Sequence, residues 1–169
     1  MKAIPLAPLP DDVAAQVAEL GAKHVNLYHC LAHAPDLLRA WMHFAWALRG
    51  HDTTSRRLRE LMILRTATLH QAPYEWHQHR RMAAEAGATD FEVAELAMWR
   101  TSPAFSAAER AALALTDAIV AGDVPDTVIE ELGRHFDHQQ RVELTVTAAF
   151  YSMAPRVLDA LDVPLEHAG

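Results

Sequence analysis

Between Arg56 and Ala86 the sequence reads RRLRELMILRTATLHQAPYEWHQHRRMAAEA, two helical patterns interrupted at Gln71-Ala72-Pro73. Spacing residues about 100° apart puts Leu58, Leu61, Met62, Arg65 and Leu69 on one side of the first helix. Ile63, Leu64, Ala67 and Glu60 fall on the opposite side, and only Arg59, Thr66 and His70 form a polar stripe. A helix apolar on two sides belongs at the centre of a fold. Glu60 and Arg65 are thereby carried into apolar surroundings, where a charge needs a partner, a water or a shifted pKa. On the second helix Trp76, Met82, Ala83 and Ala86 make the apolar face, with Glu75 and His79 inside it one turn apart. Tyr74, His77, Gln78, Arg81 and Glu85 lie on the other side, so His77 points outward and His79 inward. A short antiparallel hairpin would bring Glu60 toward Glu75 and His79.

The rest of the chain continues in helices. Residues 1–10 hold several prolines and read as an extended arm, since each proline also disfavours helix in its predecessor. Asp11 or Asp12 caps a helix with Val13, Val17 and Leu20, stopped at Gly21. A second holds Val25, Leu27, Tyr28 and Leu31. A third, after Pro35, carries Leu37, Leu38, Trp41, Phe44, Ala45 and Leu48 and stops at Gly50. His51 to Ser55 is a polar link. Gly87 ends the second helix of the central pair, and Thr89 with Glu92 forms a capping box opening the next helix. Ser106 with Glu109 forms another before Ala111–Ala121. Gly122 stops that helix, and Pro125 stands where a first-turn proline belongs. Asp137 caps a last long helix over Arg141–Met153, followed by a terminal turn or short helix over Pro155–Leu161 and a polar tail, residues 162–169. No alternating strand pattern or hairpin dipeptide occurs. The expected fold is all-α and a single domain over residues 1–169.

The chain has 169 residues, enough for one domain with a core. Its formal charge of −7 argues against nucleic acid or an anionic membrane as the main partner. Cys30 is the one cysteine, which excludes an intramolecular disulfide, a CxxC redox pair and a cysteine-rich zinc site. The N-terminal residues lack an apolar segment of signal-peptide length, and no window approaches the roughly 18 apolar residues of a membrane span. A soluble cytoplasmic protein is expected. The segments Arg57–Leu61 and Arg141–Leu144 both open nearly apolar helices with a Glu in the first turns, a faint echo that suits two similar helical halves.

From spacing alone, Glu60, Glu75 and His79 fit a structural hydrogen-bonded cluster, an acid/base site or a metal site. For metal, the Glu-x-x-His spacing of di-iron bundles is absent. His24, His29, His33 and His43 lack a clear third ligand, so a solvated or interface role is expected for them. Trp41, Phe44 and Trp46 read as core or subunit-interface residues rather than a cofactor box.

Arg59-Glu60-Leu61 through Ile63-Leu64-Arg65, then Tyr74-Glu75-Trp76-x-x-His79 and Gly87, resembles the carboxymuconolactone decarboxylase family of the AhpD-like all-helical superfamily. The segments Leu31–Trp41 and Phe136–Tyr151 are similar to its longer members, so the resemblance covers roughly residues 24–165. AhpD-type peroxidases carry a Glu, a CxxC pair and a His. By position their Glu matches Glu60 and their His matches His79, while Ala72 and Glu75 stand where the two thiols would be. Thiol peroxide chemistry needs an attacking thiolate and normally a resolving partner, and both places lack one.

The resemblance implies an AhpD-like helical bundle, a homo-oligomer (a dimer or larger ring) and pockets between helices near subunit contacts. It further implies a lyase or isomerase without a cofactor, moving a proton at a carbon beside a lactone or carboxylate of a small-molecule substrate. Glu60, Glu75 and His79 would form the proton-transfer site, a buried carboxyl serving as acid and His79 as shuttle. Tyr74, Trp76 and Arg65 would line it. A thiol-independent antioxidant or peroxidase-like activity, and a non-catalytic small-ligand-binding or assembly role, are the alternatives.

Overall fold

The computed structural model describes residues 4–19, 26–50 and 53–165. Leu20, Gly21, His24, Val25 and His51 therefore lie outside the described residues, as do residues 1–3 of the arm and 166–169 of the tail. Among the described residues every regular element is helical, which confirms the all-α expectation. The chain divides into two compact units, residues 1–49 with 156–169, and residues 50–155.

The smaller unit holds α1 (Asp11–Glu19), α2 (Asn26–Leu31), α3 (Pro35–Arg49) and the end of α9. Its arm is extended, and histidines hold it: His29 Nδ1 donates to the Ala7 carbonyl at 2.8 Å and His33 Nε2 to the Pro5 carbonyl at 2.8 Å. These imidazoles stay at the surface as expected, His33 exposed and His29 half-buried, and there they tether backbone of the arm that no helix satisfies. On α3 the buried stripe is Leu38, Met42, Ala45 and Leu48. Leu37, expected among the apolar positions of this helix, and Phe44, expected in the core or at a subunit interface, are 68% and 44% exposed, because an arc centred on Met42 leaves them on the opposite side.

The larger unit contains α4 (Arg56–Leu69), α5 (Pro73–Glu85), α6 (Asp90–Glu95) with a 3₁₀ turn (Leu96–Met98), α7 (Ala107–Ala121), α8 (Asp126–His135) and most of α9 (His138–Leu161). Helix α4 is its centre. Leu58 and Met62 join one apolar cluster with Leu115, Leu132, Leu144 and Ala148. Leu61 and Leu64 join another with Ala83, Leu96, Phe105 and Leu113. Every residue from Leu58 to Leu64 is buried. The expected polar stripe is not solvated: Arg59 and Thr66 are buried, while Leu69 at the helix end is exposed. Thr66 tolerates burial because its hydroxyl donates to the Met62 carbonyl at 2.9 Å.

The helix ends follow the local signals. Both capping boxes form, Thr89 with Glu92 and Ser106 with Glu109. Asp137 accepts from Gln140 N–H at 2.9 Å, and Gln140 returns the favour by accepting from Asp137 N–H at 3.0 Å. After α4, Gln71 takes φ 52° and Ala72 N–H reaches the Ala67 carbonyl at 2.9 Å, while Gln71 N–H reaches Thr68 at 3.1 Å. This pair of bonds is a Schellman motif, and it turns the chain so that α5 runs back along α4. Some boundaries differ from expectation: α7 opens at Ala107 rather than Ala111, and α9 at His138 rather than Arg141. Helix α9 continues through Pro155 instead of breaking there. The proline deletes one backbone bond, but Ala154 and Leu158 on either side are buried, and their packing keeps the helix going.

Candidate functional site

The hairpin of α4 and α5 brings three of the predicted site residues together. His79 Nδ1 lies 2.7 Å from Glu60 Oε2, and His79 Nε2 lies 3.4 Å from Glu75 Oε2. Arg56, one turn before Glu60, forms an ion pair with its other oxygen. Arg56 also reaches the Met82 sulfur at 4.0 Å, so positions descend on α4 as they ascend on α5, and the pair is antiparallel. Glu60 and His79 are 0% and 2% exposed, and Glu75 is 6% exposed.

Burial alone would push the His79 pKa down, since it disfavours the imidazolium. Tyr151 and the bonds to Glu60 and Glu75 oppose this, and their sum pushes it up to about 10. The charges explain the direction. Arg56, Glu60 and Glu75 carry one positive and two negative charges, and an imidazolium at His79 brings the group to neutrality. Both ring nitrogens then donate, one to each carboxylate. The family resemblance implies a carboxyl as the acid and His79 as the shuttle; this arrangement favours His79 itself as the proton-bearing group.

The other predicted residues are placed differently. Tyr74 is buried although the wheel turns it outward, and Trp76 is 40% exposed although the wheel turns it inward. The buried arc of α5 runs through Tyr74, Glu75, His79 and Ala83, centred near the polar pair rather than on Trp76. Polar contacts accompany Glu75 and His79 inside, and Ala83 packs in the apolar cluster with Leu61 and Leu64. Arg65 joins a separate network. Its Nε and Nη2 donate to Asp117 at 2.7 and 3.1 Å, and Nη1 donates to the Leu96 carbonyl at 3.2 Å. Trp99 Nε1 donates to the same carboxylate at 3.2 Å.

Two residues of the cluster escaped the sequence reading. Arg56 stands at i,i+4 from Glu60, a spacing that signals the pair. Tyr151 of α9 meets His79 edge-on, with ring centroids 4.8 Å apart and planes at 84°. Its signal was the row Glu143, Thr147 and Tyr151, polar positions four apart in a nearly apolar helix. Among the described residues no group of three or more His, Cys, Asp or Glu side chains has the arrangement to hold a metal ion. A groove of about 450 Å³ lies elsewhere, between α8 and α9, lined by Ile129, Leu132, Arg141, Val142 and Val146 among others. Cys30 is buried in the smaller unit, and burial raises its thiol pKa.

The helical order and the Glu–His hairpin define an AhpD-like fold. The chain resembles an AhpD-core, peroxidase-related protein of Ralstonia eutropha JMP134 at a TM-score of 0.83, with 21% identity, 97% of this chain and 92% of that one covered. It is similarly close to the debrominase Bmp8, in a crystal structure with 2,3,4-tribromopyrrole, at a TM-score of 0.82 and 19% identity, covering 98% and 94% of the two chains. At such identities the likeness concerns the fold. Residues 35–118 match the model of the carboxymuconolactone decarboxylase family, and the chain belongs to that family. A curated relative, the uncharacterized protein YnjA of Escherichia coli K12, is 33% identical over 88 residues, 51% of this chain. The match spans about half the length of that relative, 48%. No described helix is long and apolar enough to cross a membrane.

Proposed function

We propose that the protein is a carboxymuconolactone decarboxylase-like lyase or isomerase, working without an organic cofactor on a small lactone or carboxylate. Glu60, Glu75 and His79 are its proton-transfer residues. The observation that carries this reading is the buried imidazole held between two carboxylates, 2.7 Å from Glu60 and 3.4 Å from Glu75. In a decarboxylation the C–C bond breaks, carbon dioxide leaves, and the electron pair is delocalised into the neighbouring carbonyl. An imidazolium at His79 then gives its proton to that carbon, with no net redox change. Glu60, fixed by Arg56, orients the ring, and Glu75 with its longer contact relays the replacement proton. Tyr74 is a candidate wall of this site, and Trp76 a candidate for its rim.

The remaining parts of the reading are a single domain acting in the cytoplasm as a homo-oligomer, with no nucleic-acid or membrane partner. The exposed Leu37 and Phe44 on α3 support self-association. The test is carbon dioxide release and absorbance loss with a panel of carboxylated butenolides. His79→Ala should lower kcat at least about a hundredfold, and Glu75→Gln should lower it less. Unchanged turnover in both variants would sink the assignment.

A non-catalytic ligand-binding or assembly role has one observation in its favour, the near-complete burial of all three side chains. Saturable binding of the same butenolides without any turnover would support it. Thiol peroxidase activity is disfavoured because the single thiol, Cys30, is buried with a raised pKa. Peroxide reduction that disappears in Cys30→Ser would reverse that judgement.

A further inference from the structure

Helix α9 supplies a buried polar row, Glu143, Thr147 and Tyr151, on one face at successive i,i+4 steps. Its first member is satisfied: Glu143 accepts from Thr53, from Thr54 at 3.2 Å and from Gln139 at 3.2 Å. The other two differ. Thr147 is 2% exposed and Tyr151 3%, and neither hydroxyl has a hydrogen-bond partner among the described residues.

The contrast with three other helical threonines is informative. Thr66, Thr68 and Thr116 each donate to the carbonyl four residues back, at 2.9, 2.8 and 2.9 Å. Thr147 had the same option and does not take it. A buried hydroxyl without a bond is costly, and native chains keep few of them without a use. Both lie on the face of α9 whose Tyr151 ring abuts His79.

We propose that the hydroxyls of Thr147 and Tyr151 are the substrate-binding wall of this site, donating hydrogen bonds to the carbonyl or carboxylate oxygen of a small planar acid beside His79. The inference rests on the proton-transfer reading of the Glu60–His79–Glu75 cluster and adds its ligand class and two binding residues. A planar acid suits the place. Its oxygens accept from the two hydroxyls. Its ring can stack or meet edges with Tyr151, as His79 and Phe150 already do.

The probe is furoate, a planar five-membered-ring carboxylate, followed through the His79 ring resonances during titration of the full chain. Tyr151→Phe and Thr147→Val should each bind furoate about tenfold more weakly, the loss of one hydrogen bond to an ionised group. Each should also melt at or above the wild-type temperature, because each removes an unbonded buried hydroxyl. Thr147→Ser should restore wild-type binding. A merely structural pair gives the opposite pattern, with lower melting temperatures and furoate affinity within about twofold of wild type, and would overturn the proposal. If furoate binding ignores Tyr151 and Thr147 but is lost in His79→Gln, this inference falls and the site assignment stands. If the wild-type protein shows no saturable shift, both fall.

Discussion

Glu60 is the residue on which the cluster turns. It accepts from His79 and pairs with Arg56 while fully buried. Removing its charge takes the nearer carboxylate from His79 and the partner from a half-buried Arg56, while Glu75 still faces the ring, so Glu60→Gln should destabilise the fold by about 1–3 kcal/mol, read by urea denaturation. His79 sets a second expectation. Its folded pKa, about 10, lies above the ordinary 6.5, so its contribution to stability is complete below pH 6.5 and is lost as pH rises through about 10. Wild-type stability should therefore fall along that alkaline limb, and His79→Gln should flatten it; parallel limbs in the two proteins would contradict a charged His79. Arg65 supplies a third. Bound bidentately to Asp117, it belongs to the core of the unit. Asp117→Asn should lower stability by about 2–4 kcal/mol while leaving kcat on any substrate within a small factor. At this scale the sequence was legible where spacing alone fixed the neighbours, as for Glu75 and His79. It was not legible for Tyr151, whose partner lies on a helix far earlier in the chain and whose role depends on how α9 crosses the hairpin.

Elements were read best at their ends, because caps are local chemistry. The Thr89 and Ser106 capping boxes and the stop at Gly122, with φ 77°, need no tertiary information. Their faces were read less well. Trp76 and Tyr74 exchanged sides, and Arg59 went inside. Pro155 misled because packing of Ala154 and Leu158 outweighs one missing backbone bond. The turn between α4 and α5 offers a direct test of how the hairpin is made. Gln71 sits at φ 52°, a conformation that costs a residue with a Cβ about 1–2 kcal/mol relative to glycine. Glycine surrenders part of that through unfolded-state entropy. Gln71→Gly should stabilise the protein by about 0.5–1 kcal/mol, measured as a rise in the urea midpoint at constant slope. A loss instead would mean that the Gln71 side chain holds the turn.

For the whole molecule, the family and the all-helical order were visible in sequence because the Glu60 and His79 motifs sit on helices with strong periodic signals. The division of contacts into two units was not, since it depends on which helices meet rather than on where they start. Self-association belongs to this scale too, and α3 is where to ask for it. Leu37 and Phe44 are exposed, one face apart from the buried Leu38, Met42, Ala45 and Leu48. Two large apolar side chains on one helix face, two turns apart, form a stripe that water solvates poorly and a second copy can cover. Light scattering on the purified chain should report a mass at least twice the 18.8 kDa of one copy. Leu37→Glu with Phe44→Glu should return it to a single copy without lowering the helix content, since neither side chain contributes to the buried stripe of α3. A monomeric wild-type protein, or an oligomer indifferent to both charges, would remove α3 as the contact. Comparing turnover in the dissociated variant with wild type then separates a site complete within one chain from one that needs its neighbour.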